Sequence, residues 1–547
     1  MNQTQDFKWW QETNIYQIYP RSFMDSNGDG IGDINGIINK LDYIKEIGFE
    51  TIWISPFYKS PQKDFGYDIS DYLSIAPEYG DMQTVEKLIG ETHKRGMKIV
   101  FDMVMNHTST EHSWFKESRS SKDNPKRNWY LWQKGKGKDC PPNNWISLTG
   151  GRGWQYDKTT DEWFWTSFLP FQPDLNYHNP EVKKIMFDVI RFWLKKGVDG
   201  FRLDIFNSVY EDKLFRDNPL SWRLLPSETN SHGFFQNLKY TINHPENFIL
   251  AKELRKVIDE FDNPSRFVIG EVFGASYAIK HYLGENSDGL NLIFLFKTLK
   301  FTFVAHFFKS LLLHFEKVYP YPDTPTYVYS NHDRIRSISK IDNDKEKAKI
   351  IAVFQMMVRG VPIAYMGEEI GMEEMFMPLK NSLDPLGQKY KWIPLFLTKI
   401  FKFSLNRDGC RTPMQWDDTN NAGFSNTQNK TWLPVNNNYN ENNVEVELND
   451  PNSLLNTYKK LLSIRKQSDT IRRGKVEVLN SHHIDVLIFK RIYNGETFYI
   501  ILNFGKKQKK ITLDAKLEKV YSTGIATIID ENIVLGGISS LIAKKIN

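Results

Sequence analysis

Eight short apolar runs recur along the chain, at 15–19, 51–55, 98–105, 198–204, 266–271, 290–296, 326–330 and 361–366, with helix-like segments between them. Strands that alternate with helices need crossover connections and therefore pair in parallel, and eight such units indicate a (β/α)8 barrel rather than a sandwich. The unit before Asp204 shows the pattern. Asn179 can cap a helix, Pro180 suits its first turn, and Val182, Ile185, Met186, Val189, Ile190 and Trp193 recur at helical spacing. Gly197 ends that helix and VDGFRLD reads as a buried strand. Strand side chains alternate, so Arg202 and Asp204 point to the same side.

Two stretches do not fit a plain barrel. Residues 107–174, rich in Trp, Asn, Lys and Gly, are too long for a βα loop and predict an inserted small domain over the barrel mouth. A second excursion, about 367–460, follows the eighth run and contains RDGCRTPMQW. Further on, VEVLN, DVLIFKRIY, TFYIILNF and KKITLD alternate around turns such as NGE, the pattern of antiparallel strands. The expected division is a barrel at 1–106 and 175–470, the insert at 107–174, and a C-terminal β-sandwich at 471–547. At 547 residues and 40% hydrophobic, the chain can bury cores of that number.

Charge and cysteine usage exclude several classes. The 71 basic and 66 acidic residues leave a net charge of +5 with no basic tract interleaved with aromatics, which argues against nucleic acid. Cys140 and Cys410 form no C-x-x-C, and MNQTQDFKWW lacks the basic-then-apolar pattern of a signal peptide. Reduced thiols and a cytoplasmic location are the expectation. The most apolar stretch, 290–315, is interrupted by Lys297, Lys300, His306 and Lys309, so it reads as a strand and helix rather than a membrane span.

Three strand-like runs end on carboxylates: Asp204 in GFRLD, Glu271 in GEV and Asp333 in SNHD. Barrel active sites form at the C-terminal ends of strands, and two carboxyl groups facing one bond are the equipment for splitting a glycoside. Arg202 beside Asp204 would keep that carboxylate ionised and oriented, although a buried structural ion pair is also consistent with the pentapeptide. His107, closing FDMVMNH, is a candidate hydroxyl contact. Tyr67 and Asp68 in GYD pair a ring for a pyranose face with a carboxylate for its hydroxyls, where the alternative is a plain turn. In DSNGDGIGD, oxygen donors at Asp25, Asn27, Asp29, the Ile31 position and Asp33, with glycines for a tight wrap, suit Ca²⁺ better than a solvated acidic turn. Gly36 at the twelfth position excludes an EF-hand.

These segments resemble the α-amylase superfamily of glycoside hydrolases almost along the whole chain. DMVMNH, GFRLD, GEV and SNHD are similar to its four signature regions, in order. QPDLN at 172–176, RGVPIAYMGEEIGM and RDGCRTPMQW resemble the oligo-1,6-glucosidase and α-glucosidase group. The resemblance implies Asp204 as nucleophile, Glu271 as general acid and then base, and Asp333 as a holder of sugar hydroxyls. It also implies a glucose pocket lined by Tyr67, Asp68, His107, Arg202, His332 and Arg411, a structural Ca²⁺, and no organic cofactor. A retaining mechanism requires the Asp204 and Glu271 carboxyl groups about 5–5.5 Å apart. The expected substrate is a short oligosaccharide and the expected assembly a monomer or weak homo-oligomer. In this group the residue after the nucleophile tends to be Val in α-1,6 enzymes and Ala or Thr in α-1,4 enzymes. Ile205, β-branched like Val, leans to isomaltose-type α-1,6 links. The apolar segment 376–406 is expected to shape the aglycone side. Maltase-type hydrolysis and sucrose- or trehalose-directed hydrolysis or isomerisation are the alternatives, since excluding water turns hydrolysis into transfer. A non-catalytic transporter subunit, the remote alternative, would carry an anchor and lose catalytic carboxylates.

Overall fold

The computed structural model describes residues 7–137, 139–401, 405–427 and 430–546. All eight apolar runs are strands: β1 (Ile15–Ile18), β2 (Thr51–Ile54), β3 (Lys98–Val104), β4 (Gly200–Asp204), β5 (Phe267–Gly270), β6 (Leu292–Ile293), β7 (Thr326–Val328) and β8 (Val361–Tyr365). They form one sheet in the order β6-β5-β4-β3-β2-β1-β8-β7, so strands adjacent in sequence are neighbours in space, as a βα barrel requires. The pairings β3–β4, β4–β5, β5–β6, β7–β8 and β8–β1 are parallel. Parallel strands are covered on both faces, which is why these runs read as continuously apolar; β4 is buried at every position.

By compactness the chain divides into two units, one of 53–94 and 98–296 and one of 1–52, 95–97 and 297–547. In the first, the helix Pro180–Lys195 begins where Asn179 accepts a hydrogen bond from the Glu181 N–H at 2.9 Å. It buries Val182, Met186, Val189, Ile190, Trp193 and Leu194. Ile185, expected in that stripe, is only half-buried, and Gly197 takes a left-handed φ of 103° beyond the helix end. The segment after β3 carries a three-stranded antiparallel sheet of Trp132–Gln133, Trp154–Asp157 and Glu162–Trp165. Its core is tryptophan-rich, with Trp145, Trp154, Trp163 and Trp165 packed on Leu131. Bridges His107–Asp174 and Tyr130–Leu175 draw the two ends of the segment together.

The second unit carries β1, β7 and β8. The helix Lys345–Met357 ends on carbonyls that two buried arginines satisfy. Arg465 donates to the oxygens of Met356 (3.0 Å), Val358 (3.3 Å) and Gly360, and Arg491 donates to that of Met357 at 2.7 Å. After β8 the chain runs through short helical turns to a helix at Leu454–Gln467. A short helix at Asp469–Arg473 leads into the first C-terminal strand, Lys475–Leu479. Five antiparallel strands and a three-stranded sheet share one core, including Ile488, Ile501, Ile533, Leu535 and Leu541, which makes the module a sandwich. Its hairpin at 493–496 turns through Asn494 and Gly495, both at positive φ, as a two-residue loop between twisted strands requires.

Candidate active site

Asp204 is the last residue of β4 and Glu271 follows the last residue of β5. Both are buried, at 7% and 6% exposure. One guanidinium holds them. Arg202 donates through Nη1 to Asp204 at 2.6 Å and through Nη2 to Glu271 at 2.5 Å. The same Nη1 reaches Asp102 on β3 at 2.9 Å, because Asp102 and Arg202 stand opposite each other in the β3–β4 ladder. Asp102 also accepts from Tyr67 OH at 3.0 Å and Trp53 Nε1 at 3.2 Å. The guanidinium lies beside the rings of Trp53, Tyr67 and Phe294. One cation thus serves three buried carboxylates. Burial raises the Asp102 pKa, with Arg202 opposing the rise. The period of two made the Arg202–Asp204 contact legible; Asp102 was missed because only strand register reveals it.

Ile205 has φ 32° and ψ 44°, the left-handed region, which costs a β-branched residue on the order of 1–3 kcal/mol. The bend turns its N–H onto Glu271 Oε2 at 3.2 Å, so the strained residue also helps place the carboxylate.

Asp68, expected to take sugar hydroxyls, is fixed by the residues just before it. Its oxygens accept from Ser60 Oγ (2.9 Å) and the N–H groups of Lys63 (3.1 Å) and Asp64 (2.9 Å), and the residue is fully buried. Burial pushes its carboxyl up to about 7. The segment just before GYD thus donates to this carboxylate, local side-chain-to-backbone bonding of the kind Asp commonly makes in turns. His107 faces the Tyr67 carbonyl through Nε2 at 3.2 Å and Asn106 Nδ2 through Nδ1 at 3.2 Å. A carbonyl only accepts, which assigns the proton to Nε2. Burial lowers its pKa to about 3, so the ring is neutral.

The second unit builds its own constellation around Asp333, five residues beyond β7. Its carboxylate takes His332 Nε2 at 3.0 Å, Arg411 Nη2 at 2.8 Å and Arg407 Nη1 at 3.3 Å. Burial opposes its charge, but His332, Arg407 and Arg411 outweigh burial and hold the pKa well below the usual range. His332 is fixed from behind by Gln17 Nε2 at 2.7 Å and stacks on Tyr19 at 5.7 Å between centroids. Arg411 Nε donates to the His332 carbonyl at 2.8 Å. Arg407, not singled out from sequence although it lies four residues before Arg411, is gripped by buried Asp384 at 2.7–3.1 Å. Asp384 lies in the segment 376–406, so that segment braces Asp333; its residues 402–404 lie outside the described ones.

In DSNGDGIGD, Asp25 Oδ1 accepts from the N–H groups of Asn27 (3.0 Å) and Gly28 (2.7 Å), and Oδ2 from Gly30 N–H at 2.8 Å. Asn27 accepts from Asp29 N–H at 2.9 Å, Asp29 from Ile31 N–H at 2.8 Å, and Asp33 caps the following helix through Gly36 N–H at 2.7 Å. Gly28 and Gly30 wrap at φ 81° and 90°, and a Cβ on either would meet Asn426 Oδ1 at 2.7 Å or the Lys430 carbonyl at 2.9 Å. Among the described residues no group of three His, Cys, Asp or Glu side chains closes on a metal position. A cation here would therefore depend on the amide oxygen of Asn27 and the carbonyl of Ile31, hard oxygen donors of the kind Ca²⁺ accepts.

A parallel βα barrel with an insert after its third strand and carboxylates at the carboxyl ends of its strands defines a class of carbohydrate-processing enzymes. The chain belongs to the Alpha amylase, catalytic domain family, which matches residues 17–474, and is a glycoside hydrolase of that family. It is 39% identical to the oligo-1,6-glucosidase of Parageobacillus thermoglucosidasius over 530 residues, covering 91% of each chain. It is 37% identical to the α-glucosidase of Apis mellifera, covering 92% of this chain and 86% of that one. The crystal structure of an α-glucosyl transfer enzyme superposes with a TM-score of 0.90 at 33% identity, covering 99% of this chain and 100% of that chain. Among the described residues no helix is long and apolar enough to cross a membrane.

Proposed function

We propose that this chain is a retaining exo-α-glucosidase that releases glucose from the ends of short α-glucosides, with a lean to α-1,6 links. The observation that carries the reading is the Arg202 guanidinium bonded at once to Asp204 and Glu271. Two carboxylates on neighbouring nitrogens of one guanidinium stand at close quarters, which favours a retaining pair at about 5–5.5 Å over an inverting one at about 6.5–9.5 Å. Asp204 attacks the anomeric carbon while Glu271 protonates the leaving oxygen; Glu271 then takes a proton from the water that releases glucose. By its likeness to the family's motif, Asp333, held ionised by Arg407 and Arg411, is the group that takes sugar hydroxyls and the developing positive charge.

Asp204→Asn should abolish turnover, and NMR of the first-formed product should show α-glucose; β-glucose overturns the retaining assignment. Side-by-side turnover of isomaltose, maltose, sucrose and trehalose tests the linkage. Glucosyl transfer is the second reading, supported by the similarity to an α-glucosyl transfer enzyme; transfer products outpacing free glucose in dilute acceptor would favour it. DSNGDGIGD would hold a structural Ca²⁺ through Asp25, Asn27, Asp29, the Ile31 carbonyl and Asp33. Chelation should then lower Tm by a few degrees, since a ligand at 100 times its Kd stabilises by about 2.7 kcal/mol, and an unchanged Tm sinks that assignment. Free Cys140 and Cys410 fit a reducing cytoplasm.

A further inference from the structure

The loop that follows Asp204 folds into a hairpin whose outer side is apolar and faces solvent. Its arm 219–225 pairs with 234–237. The Phe235 carbonyl accepts from Ser221 N–H at 2.8 Å, and the N–H groups of Phe235 and Phe234 donate to the carbonyls of Arg223 (2.8 Å) and Leu224 (2.7 Å). Asn237 N–H closes the pairing on the Pro219 carbonyl at 2.8 Å. Trp222 is fully exposed, Leu220 is 88% exposed, and Leu214, Leu224, Leu225 and Phe235 each show more than half of their surface. The inner side belongs to the core, where Phe215 and Tyr240 pack on the tryptophan cluster of the inserted segment.

The hairpin is held at its base. Asn144 Nδ2 donates to the Asn218 carbonyl at 2.9 Å, Gln236 Nε2 to the Asn144 carbonyl at 2.6 Å, and Trp145 Nε1 to the Arg216 carbonyl at 2.8 Å. Gly274 N–H, three residues past Glu271, donates to the Glu228 carbonyl at 2.9 Å. These bonds keep the apolar side chains outward, so in a single chain they remain in water at a standing hydrophobic cost.

Six large side chains exposed to this degree present on the order of 800 Å² of apolar surface. That exceeds the roughly 300–600 Å² of the largest patch on an ordinary monomer and matches the roughly 800 Å² that each partner contributes to a standard interface. Charge selects the partner. Between 212 and 239 the chain carries four basic and three acidic residues, and two of the basic ones are already paired, Arg216 with Asp212 at 2.6 Å and Lys213 with Glu246 at 3.0 Å. A rim of both signs neither attracts an anionic lipid surface nor repels a copy of itself. The neighbours of Trp222 are leucines rather than the hydrogen-bonding groups that orient a sugar on an aromatic ring. We propose that this hairpin is the contact face of a two-fold homodimer, in which Trp222 of each copy is buried among the leucines of the other. A two-fold contact places the same patch on both sides, and a buried tryptophan at its centre is the usual hot spot.

Sedimentation of the full chain over a dilution series tests the contact. The native protein should pass from the mass of two chains to that of one as it is diluted. Trp222→Glu and, separately, Leu220→Glu should raise the dissociation constant at least about 100-fold, because each sets a charge in a desolvated contact. Both side chains are exposed within one chain, so Tm of the diluted variants should match that of the diluted native protein. Ile525→Glu, exposed on the C-terminal sandwich, should leave association unchanged. A native protein that is monomeric at every concentration overturns the proposal, as does a dimer that survives both glutamate variants. Two other results overturn it by naming a different occupant of the face. One is native binding to vesicles of phosphatidylcholine and phosphatidylserine that Trp222→Glu abolishes; the other is a monomeric native enzyme whose KM rises in Trp222→Glu for maltotetraose but not for maltose.

Discussion

Replacing Arg202 with Lys keeps the charge and removes the fork. In the native site three charge-assisted bonds, at 2.9, 2.6 and 2.5 Å, leave two neighbouring nitrogens toward Asp102, Asp204 and Glu271. An ammonium on a shorter reach is a single point and cannot span three carboxylates whose positions are fixed by three strands. One or two of the bonds are lost, each worth about 1.5–3 kcal/mol when charged. Taking about 3 kcal/mol as the central loss, and about 1.36 kcal/mol per factor of ten, kcat/KM should fall roughly 100-fold. The fall should appear chiefly in kcat, because the lost bonds orient the reacting carboxylates rather than bind sugar. The assay is release of chromophore from an aryl α-glucoside together with glucose release from isomaltose, with Tm measured in parallel. A Lys variant within threefold of native kcat/KM, folded and with unchanged Tm, would refute the idea that the fork of this guanidinium sets the site.

Ile205→Ala should lower the isomaltose-to-maltose ratio of kcat/KM by about tenfold or more, since lost apolar contact in a pocket is worth about 1–3 kcal/mol of discrimination; an unchanged ratio removes Ile205 from specificity. His107 has a folded pKa lowered to about 3 by burial, so the unfolded chain binds more protons between that value and its ordinary pKa of about 6.5. Its contribution is therefore present above about pH 6.5 and lost as pH falls; His107→Gln should flatten Tm against pH between about 6.5 and 4 relative to native. Arg465→Met should cost about 3 kcal/mol or more by leaving the carbonyls of Met356, Val358 and Gly360 unpaired in the interior, read as a shifted denaturant midpoint; a loss below about 1 kcal/mol would show that water or the chain replaces those bonds.

The barrel was legible because its signal is local. A buried parallel strand must be apolar throughout and a covering helix must carry a stripe, so the eight runs and the Pro180–Lys195 helix follow from period alone. The Asn494–Gly495 turn followed from backbone chemistry in the same way. The candidate residues were legible from their motifs, but their contacts only where partners are near in sequence. Arg202 and Asp204 are two apart on one strand, but Asp102 and Glu271 join them through ladder register across three strands. Arg407, Gln17 and Asp384 reach the Asp333 group from remote segments. Asp68 adds a contact that residue type alone does not reveal: Ser60 and the N–H groups of Lys63 and Asp64 donate to its carboxylate.

By itself, then, the sequence determined which residues could do chemistry here and in what kind of barrel, because residue type and hydrophobic period are properties of short stretches. How one arginine is divided among three acids was decided by tertiary structure, as was the left-handed bend that Ile205 must hold. Those depend on register, burial and backbone strain, which arise only when distant segments exclude water together.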